Sequence, residues 1–384
     1  MLCGYLATCE QPALEAALRE PGLKDEIWLD APEGHCWLAV GGSAFAWAEA
    51  EQGFALALSG DPLIEEGDQL ALLSEAKLPL LAALDGEALS RRLAGNTALC
   101  RISFGPSGAT LELAGERLGH SRLFICQVAE GIFFSTELRH MLKVRPLDFD
   151  QIGLAAFLNY SFLPGGLSLL SGVESVPRAE VLRIFWPSGA RKLSVSDHFN
   201  LTENQDKFTA TEAYRRVDEV GEQLEQACAV CGSLASALMF SGGLDSTALA
   251  VALSRTGQPR TAYTLGKSPE DSVVATTAAL ASQLGLPHQV VMTPTSGLPQ
   301  LIEQALRLTD QPCSDGALPY TLPLIKACRE ELPSGSYLID GTGAGALFSE
   351  RSMRREFRDR LAWLVHRWPS APIKAVNSDR KSVV

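Results

Sequence analysis

The segment 241–247, which reads SGGLDST, holds the residues whose types and spacing best suit chemistry. Two adjacent glycines let a backbone turn sharply and approach a ligand closely, so that successive N–H groups can point at one spot. The hydroxyls of Ser241, Ser246 and Thr247 add donors, and these groups together suit phosphate or pyrophosphate. Asp245 alone would repel phosphate. Its presence indicates a Mg²⁺ ion held between the carboxylate and the phosphate oxygens.

The neighbouring elements decide between this interpretation and a simple turn. The apolar run SALMF precedes the segment and predicts a buried strand, and STALAVALSRTG predicts a helix. A tight strand-to-helix turn with an Asp or Ser cap would use similar residues. The segment contains neither GK[ST] nor GxGxxG. Because ligands of α/β sheets bind beyond the carboxyl ends of the strands, its position favours a nucleotide site.

The region from residue 211 onward alternates helices and strands. Its predicted strands are 236–240, 260–266, 289–293 and 336–340, with helices between them and a first helix at 211–230. This alternation predicts a parallel sheet with helices on both faces.

Residues 1–195 follow a different pattern. Short apolar runs such as GFALALSG and TALCRISFG are separated by Gly, Pro and Ser, and residues 71–95 read as one helix. We therefore expect layered β-sheets with a few helices. The polar stretch 196–210 is predicted to be a linker, with the second domain at 211–384. A length of 384 residues suits two domains.

Composition limits the classes of partner. The formal net charge is −12 and the chain has no long basic run, so we expect no nucleic acid and no anionic membrane as partner. The longest apolar stretch, LALLSEAKLPLLAAL, is too short to cross a bilayer and contains Glu75 and Lys77. No signal peptide is recognisable at the N-terminus, so a cytoplasmic location is expected.

The nine cysteines are scattered, which is typical of reduced thiols rather than of a disulfide framework. Cys228 and Cys231 form a lone CxxC pair. A metal or redox site is one interpretation. A structural zinc site needs four ligands, so two small residues on a helix explain this pair better.

Several segments resemble one family of enzymes. SGGLDS resembles the SGGxDS signature of ATP-pyrophosphatases, also called PP-loop enzymes. The segments 115–124, 133–138, 158–184 and 310–319 resemble motifs of the asparagine synthetase family and occur in the family order. That family also contains β-lactam synthetases and lasso-peptide cyclases. The sequence is thus identified as a member of it.

The resemblance implies a fold, cofactors and site residues. The implied fold is an α+β N-terminal domain like that of Ntn hydrolases, followed by an α/β PP-loop domain. The implied cofactors are ATP and Mg²⁺, with Asp245 as the metal ligand. The implied pyrophosphate loop consists of Ser241, Gly242, Gly243, Asp245 and Ser246. The residues implied to flank the adenosine are Phe240, Leu265 and Gly341.

The N-terminus departs from the family pattern. Glutamine-hydrolysing members expose an N-terminal cysteine as nucleophile, with its own amine as base. Here Leu2 stands between the initiator Met1 and Cys3, and a bulky second residue disfavours removal of the methionine. The glutamine-binding motifs are also unmatched, because Ala94 occupies the position of a family aspartate. We expect Cys3 to be an inert residue of a first strand, and the glutaminase to be degenerate.

The C-terminal region also departs from the family pattern. In the segment 340–348, Gly345 and Ala346 replace acidic residues of the family, while Asp340 replaces the usual Ser. Binding of a second Mg²⁺ is therefore in question. No lysine can be matched to the family's catalytic lysine, and the terminal residues 379–384 suggest that the natural chain continues.

The leading hypothesis is an AMP-forming amide ligase that adenylates a small-molecule or peptide carboxylate for attack by ammonia or an amine. Without its own glutaminase it would be similar to a lasso or lactam cyclase. The alternatives are a glutamine-hydrolysing asparagine synthase and an inactive nucleotide-binding protein or fragment. A tRNA-modifying thiolase fits less well, because the front half is β-rich and the surface is acidic. The family is compatible with a homodimer.

Overall fold

The structure is a computed structural model. It describes residues 1–19, 23–31, 34–42, 44–49, 52–66, 69–115, 118–195, 210–230, 236–257, 260–294, 296–333 and 336–344.

The N-terminal part contains antiparallel strands and short helices. Its strands are β1 (Leu2–Ala7), β2 (Leu23–Ala31), β3 (Gly34–Gly41), β4 (Phe45–Glu49), β5 (Phe54–Gly60), β6 (Leu63–Glu66), β7 (Gln69–Leu72), β8 (Leu93–Ala94), β9 (Thr97–Gly105), β10 (Gly108–Ala114), β11 (Phe124–Gln127), β12 (Gly131–Ser135), β13 (Val173–Ser175), β14 (Glu180–Trp186) and β15 (Ala190–Val195). Its helices are α1 (Pro12–Leu18), α2 (Leu78–Ala82), α3 (Gly86–Arg92), α4 (Leu138–Val144) and α5 (Gln151–Tyr160).

Two six-stranded antiparallel sheets pack face to face. The first has the strand order β13-β11-β12-β1-β3-β2 and the second β15-β14-β10-β9-β5-β4. Successive side chains of a strand point to opposite faces. In β1, Leu2 and Leu6 therefore join the core between the sheets, together with residues of the second sheet such as Ile102 and Leu111. The layered sheets expected from the sequence are present.

Helices cover the outer faces of both sheets. Leu14 of α1 packs on the first sheet with Tyr5 of β1. Leu81 of α2 and Leu89 of α3 pack on the second sheet with Leu58 of β5. The N-terminal part is thus a four-layer arrangement of helix, sheet, sheet and helix.

The prediction of one helix at 71–95 is wrong. Residues up to Leu72 belong to β7, and a short 3-10 helix (Glu75–Lys77) and two separate α-helices follow. Asp85 interrupts the helical path because it caps α3, accepting a hydrogen bond from the backbone N–H of Ala88 at 2.7 Å. The stretch ends in β8, which pairs with β6.

The C-terminal part alternates helices and strands. Its elements are α6 (Ala210–Val230), β16 (Ser236–Met239), α7 (Leu244–Arg255), β17 (Thr261–Gly266), α8 (Ser272–Gln283), β18 (His288–Met292), α9 (Leu298–Thr309), α10 (Leu318–Glu331) and β19 (Tyr337–Ile339). The strands form one parallel sheet with the order β18-β17-β16-β19. Of the predicted linker 196–210, residues 196–209 lie outside the described residues, and Ala210 is the first residue of α6.

Both faces of this sheet are covered, as predicted. On one face Leu238 packs with Ala250 of α7 and Ala281 of α8. On the other face Ala237 packs with Leu324 of α10. None of the helices in the described ranges is both long enough and apolar enough to cross a bilayer.

Candidate functional site

The carboxyl ends of the parallel strands bring the predicted site residues to one edge. The chain continues from β16 into Phe240, from β17 into Lys267 and from β19 into Asp340. β17 and β19 lie on opposite sides of β16, so the direction of the strand order changes at β16. Such a reversal opens a crevice beyond the strand ends, where ligands of α/β sheets bind.

The turn after β16 is held by backbone hydrogen bonds and by a glycine. The N–H of Phe240 donates to the carbonyl of Tyr263 at 2.8 Å. Gly242 has a φ of +71°, a conformation that disfavours other residues. A Cβ on Gly242 would also lie 3.0 Å from Thr277 Cγ2 of α8. The first predicted glycine is therefore required by backbone conformation and by the closeness of α8.

The two serines of the turn are close together. The Oγ atoms of Ser241 and Ser246 lie 3.1 Å apart, and the Ser246 hydroxyl donates to the carbonyl of Gly243 at 3.2 Å. Ser246 is buried, whereas Ser241 is exposed to the cleft. These contacts order the turn before any ligand is present and leave Ser241 accessible to one.

The helix after the turn presents N–H groups and a carboxylate. Gly243 is the N-cap of α7 and has no side chain to satisfy the first N–H groups of the helix. The helix dipole adds a partial positive charge at the same place. Asp245 lies in the first turn and is exposed. The arrangement offers an anion N–H donors and offers a cation one carboxylate.

A cleft of about 360 Å³ lies over this edge of the sheet. Seven of the eight predicted nucleotide residues line it, namely Phe240, Ser241, Gly243, Asp245, Ser246, Leu265 and Gly341. Gly242 shapes the turn behind the lining. The other lining residues are Met239, Tyr263, Val273, Leu324, Asp340 and Thr342.

Asp340 brings a second carboxylate to the cleft. It follows β19 and is exposed, and its Oδ1 accepts the backbone N–H of Thr342 at 2.8 Å. Two accessible carboxylates near hydroxyls match the oxygen ligands that Mg²⁺ prefers. Mg²⁺ commonly takes one or two protein carboxylates and completes its shell with water and phosphate. The described residues therefore fit this ion at Asp245, and Asp340 lines the same cleft.

Burial changes the pKa of two groups that support the cleft. The pKa of Tyr263 is raised, first by burial and then by its hydrogen bond to Glu331 Oε2 at 2.6 Å. The pKa of His288 is lowered by burial. Its Nε2 lies 2.9 Å from Thr264 Oγ1, and the Thr264 hydroxyl donates to the carbonyl of Phe240 at 2.7 Å. These hydrogen bonds hold Phe240, the residue at which the turn begins, in place.

The sequence analysis predicted Leu265 as a residue of the cleft but did not predict Tyr263, which also lines it. Tyr263 and Leu265 lie on the same face of β17, and both pack in the cluster that contains Leu324 of α10. The partner of the Tyr263 hydroxyl lies at the end of α10, far away in sequence. The altered positions Gly345 and Ala346 lie outside the described residues.

Cys3 lies in β1 away from this cleft. It is fully buried, and its backbone is paired with Ala39 on one side and Ser135 on the other. Its side chain belongs to a cluster with Tyr5 and Trp37. The described cysteines form no disulfide. Of the CxxC pair, Cys228 is buried, and the second cysteine lies outside the described residues.

A parallel sheet with a glycine-rich turn and a helix N-terminus at its carboxyl edge is typical of nucleotide-binding α/β domains. Residues 219–383 match the family model for asparagine synthase. This match covers less than half of the chain, and it confirms the resemblance of the C-terminal part to the asparagine synthetase family. The match supports an ATP-dependent amide ligase of that family.

The search of curated proteins found no match. Among solved structures, the chain is similar to glutamine phosphoribosylpyrophosphate (PRPP) amidotransferase from B. subtilis, complexed with ADP and GMP. The identity is 11% and the TM-score 0.30, over 82% of this chain and 71% of that chain. A TM-score this low does not define a shared fold.

Proposed function

We propose that the chain binds Mg-ATP in the cleft at the carboxyl edge of the parallel sheet and joins a carboxylate to a nitrogen. The observation that carries the proposal is the convergence of the SGGLDS turn and the Asp340–Gly341 segment on one cleft. The turn suits the pyrophosphate portion of a nucleotide, because its N–H groups and hydroxyls are donors. The apolar lining at Phe240 and Leu265 suits the adenosine.

The residues have separate roles in this proposal. The α7 N-terminus and Ser241 bind and orient the β- and γ-phosphates. Asp245 would hold Mg²⁺, and the ion would supply charge neutralisation at the phosphate oxygens. The substrate carboxylate oxygen forms a bond to the α-phosphorus, and the bond to pyrophosphate breaks. The nitrogen nucleophile then bonds to the acyl carbon, AMP leaves, and the nitrogen loses a proton.

We further propose that the nitrogen comes from ammonia or from an amine already on the substrate, as in lasso or lactam cyclases. The burial of Cys3 in β1 supports this, because a nucleophile must contact its substrate. The N-terminal part would then have kept the layered architecture of an Ntn-hydrolase-like domain without hydrolysing glutamine. The carboxylate is proposed to be a small molecule or a peptide.

The test is release of pyrophosphate from Mg-ATP by the purified chain. The arms contain aspartate with ammonia, aspartate with glutamine, and a panel of peptides. We expect release with ammonia or a peptide, and none that depends on glutamine alone. Asp245→Asn should abolish release because the metal ligand is lost. Glu303→Gln changes an exposed carboxylate of α9 and should leave release unchanged.

Two results would contradict the proposal. Nucleotide binding without release in any arm would indicate a protein that binds ATP but performs no ligation. Release that requires glutamine and is lost on alkylation of Cys3 would instead indicate a glutamine-hydrolysing asparagine synthase.

A further inference from the structure

The segment 310–315, between α9 and α10, contacts the N-terminal part of the chain. Hydrogen bonds join them from Arg122 Nη1 to Gln311 Oε1 (2.5 Å), from the Arg139 N–H to Asp310 Oδ2 (2.9 Å), and from Ser314 Oγ to the Ser161 carbonyl (2.8 Å). The antiparallel and parallel parts therefore meet at a specific polar contact.

A second cavity lies at this contact. Its volume is about 360 Å³, and its walls come from both parts of the chain, with Arg122 and Phe162 on one side and Pro312 and Asp315 on the other. It shares no lining residue with the cleft over the parallel sheet. An adjoining cavity of about 600 Å³ shares Arg122, Phe162 and Leu163 with it. These cavities have no part in the proposed nucleotide chemistry.

Arg122 is a cation with few partners. Its recorded hydrogen bond goes to the neutral amide oxygen of Gln311, and it contacts no carboxylate in the part of the chain that the structure describes. A guanidinium carries five N–H donors, and Arg122 lines both cavities. Burial lowers the pKa of Arg122, which reflects the cost of holding this cation partly out of water. An anion in the cavity would offset that cost.

The walls favour an anion with one negative charge. Asp315 also lines the first cavity, and its Oδ1 accepts the Ala317 N–H at 2.9 Å. Because this carboxylate lines the same cavity as Arg122, a phosphate dianion would be repelled more strongly than a carboxylate. A carboxylate also matches the planar fork of a guanidinium with two parallel hydrogen bonds. Phe162 and Leu163 offer apolar surface for an attached carbon skeleton.

We propose that the cavity between the two parts of the chain binds an organic monocarboxylate, with Arg122 pairing with the carboxylate and Phe162 and Leu163 contacting its apolar portion. This site goes beyond the proposed ligase activity and uses none of its residues. Since both parts contribute walls, the ligand would also stabilise their contact.

The test is calorimetric titration of the full chain, without nucleotide, with sodium phenylacetate as probe. Inorganic phosphate and chloride at matched ionic strength are the comparison anions. We expect phenylacetate to bind the wild-type chain and to bind Arg122→Gln about tenfold more weakly, because a charge-assisted pair is lost. Arg122→Lys should also bind more weakly, because an ammonium cannot form the two parallel bonds. The control Arg255→Gln removes an exposed arginine of α7 and should bind as the wild type does.

Each alternative result overturns the assignment. One such result is equal affinity for wild type, Arg122→Gln and Arg122→Lys. Another is the absence of phenylacetate binding to the wild type. A third is tighter, Arg122-dependent binding of phosphate. If circular dichroism shows that Arg122→Gln does not fold, the test is the phenylacetate affinity of Arg122→Lys compared with that of the wild type. This variant keeps the charge and changes only the bonding geometry.

Discussion

Gly341 lies directly against Asp245, at the point where the turn after β19 meets the first turn of α7. A Cβ on Gly341 would lie 3.0 Å from the Asp245 Cβ and 3.4 Å from the backbone nitrogen of Ser246. This close approach lets the last strand of the sheet narrow the cleft from the side opposite to β17. Gly341, which has no side chain, therefore lies beside Asp245, the proposed metal ligand.

We expect Gly341→Val to weaken binding of a fluorescent ATP analogue by about tenfold or more, the equivalent of about 1.4 kcal/mol. The added carbons must displace either Asp245 or the turn after β19, and both line the cleft. Equilibrium titration in the presence of Mg²⁺ measures the effect.

The matched control is Gly221→Ala in α6, where an added Cβ meets no atom within 4 Å. Alanine in a helix is favoured over glycine by up to about 1 kcal/mol, so this variant should bind the analogue normally and be no less stable. Equal binding by Gly341→Val and Gly221→Ala would show that the contact at Asp245 has no effect on the cleft.

Much of this cleft could be predicted from local sequence, because each βα unit carries its own signals. The apolar strand, the paired glycines and the helix after them placed Ser241 and Asp245 correctly at a strand end. The contact of Gly341 with Asp245 depends on β19 inserting beside β16, which is a matter of strand order. No local pattern encodes that order, so only the family resemblance linked the two segments.

In the stretch 71–95, the local sequence pattern predicts the wrong secondary structure. Its apolar spacing is helical over most of its length, and a single helix was the natural prediction. The side chain of Asp85 instead caps a new helix, and the following residues pair with β6. A capping residue such as Asp85 inside an apolar periodic run indicates that a new helix begins there. Nothing local predicts that Arg122 contacts Gln311, which is 189 residues away.

Glu112 carries the next prediction, because it is a buried carboxylate between two arginines. It is 1% exposed, its Oε2 accepts from Arg101 at 2.7 Å, and its Oε1 accepts from Arg183 at 2.5 Å. Glu112→Gln would remove the anion that two partly buried cations share, and Arg183 would keep only the more distant Glu87 carboxylate at 3.9 Å. We expect the free energy of unfolding to fall by about 3 kcal/mol, measured by urea denaturation followed by circular dichroism.

The control for this variant is Glu303→Gln on α9. Glu303 pairs with Arg307 at 2.7 Å, but both side chains are mostly exposed. Such a pair contributes about 0.5 kcal/mol or less. If both variants lowered stability equally, the buried position of the Glu112 cluster would not matter.

His288 should make stability depend on pH. Burial lowers its pKa below the ordinary value of 6.5, so the unfolded chain takes up a proton at a higher pH than the folded chain does. The stabilisation is therefore present above pH 6.5 and is lost as the pH falls from there toward the folded pKa. We expect the wild type to lose more stability than His288→Gln between about pH 7.5 and about pH 5.5.

Urea midpoints at the two pH values measure this difference. Glutamine can still donate a hydrogen bond to Thr264 Oγ1, which keeps the support of the Phe240 carbonyl while removing the titrating group. Equal losses in wild type and His288→Gln would show that the protonation of His288 does not contribute.

Cys3 provides the last prediction, through its accessibility to alkylation. In the folded chain iodoacetamide should modify Cys9 and Cys313, which are exposed, and should leave Cys3 unmodified because no part of it reaches solvent. Cys36 is an internal control, since burial raises its pKa to about 12 and a protonated thiol is a poor nucleophile. Peptide mapping by mass spectrometry before and after unfolding gives the comparison, and Cys3 should react only after unfolding. Modification of Cys3 in the folded chain as fast as that of Cys9 would mean that β1 opens at its start. A nucleophile could then reach a substrate there, and the proposal of an amide ligase without a glutaminase would lose its structural support.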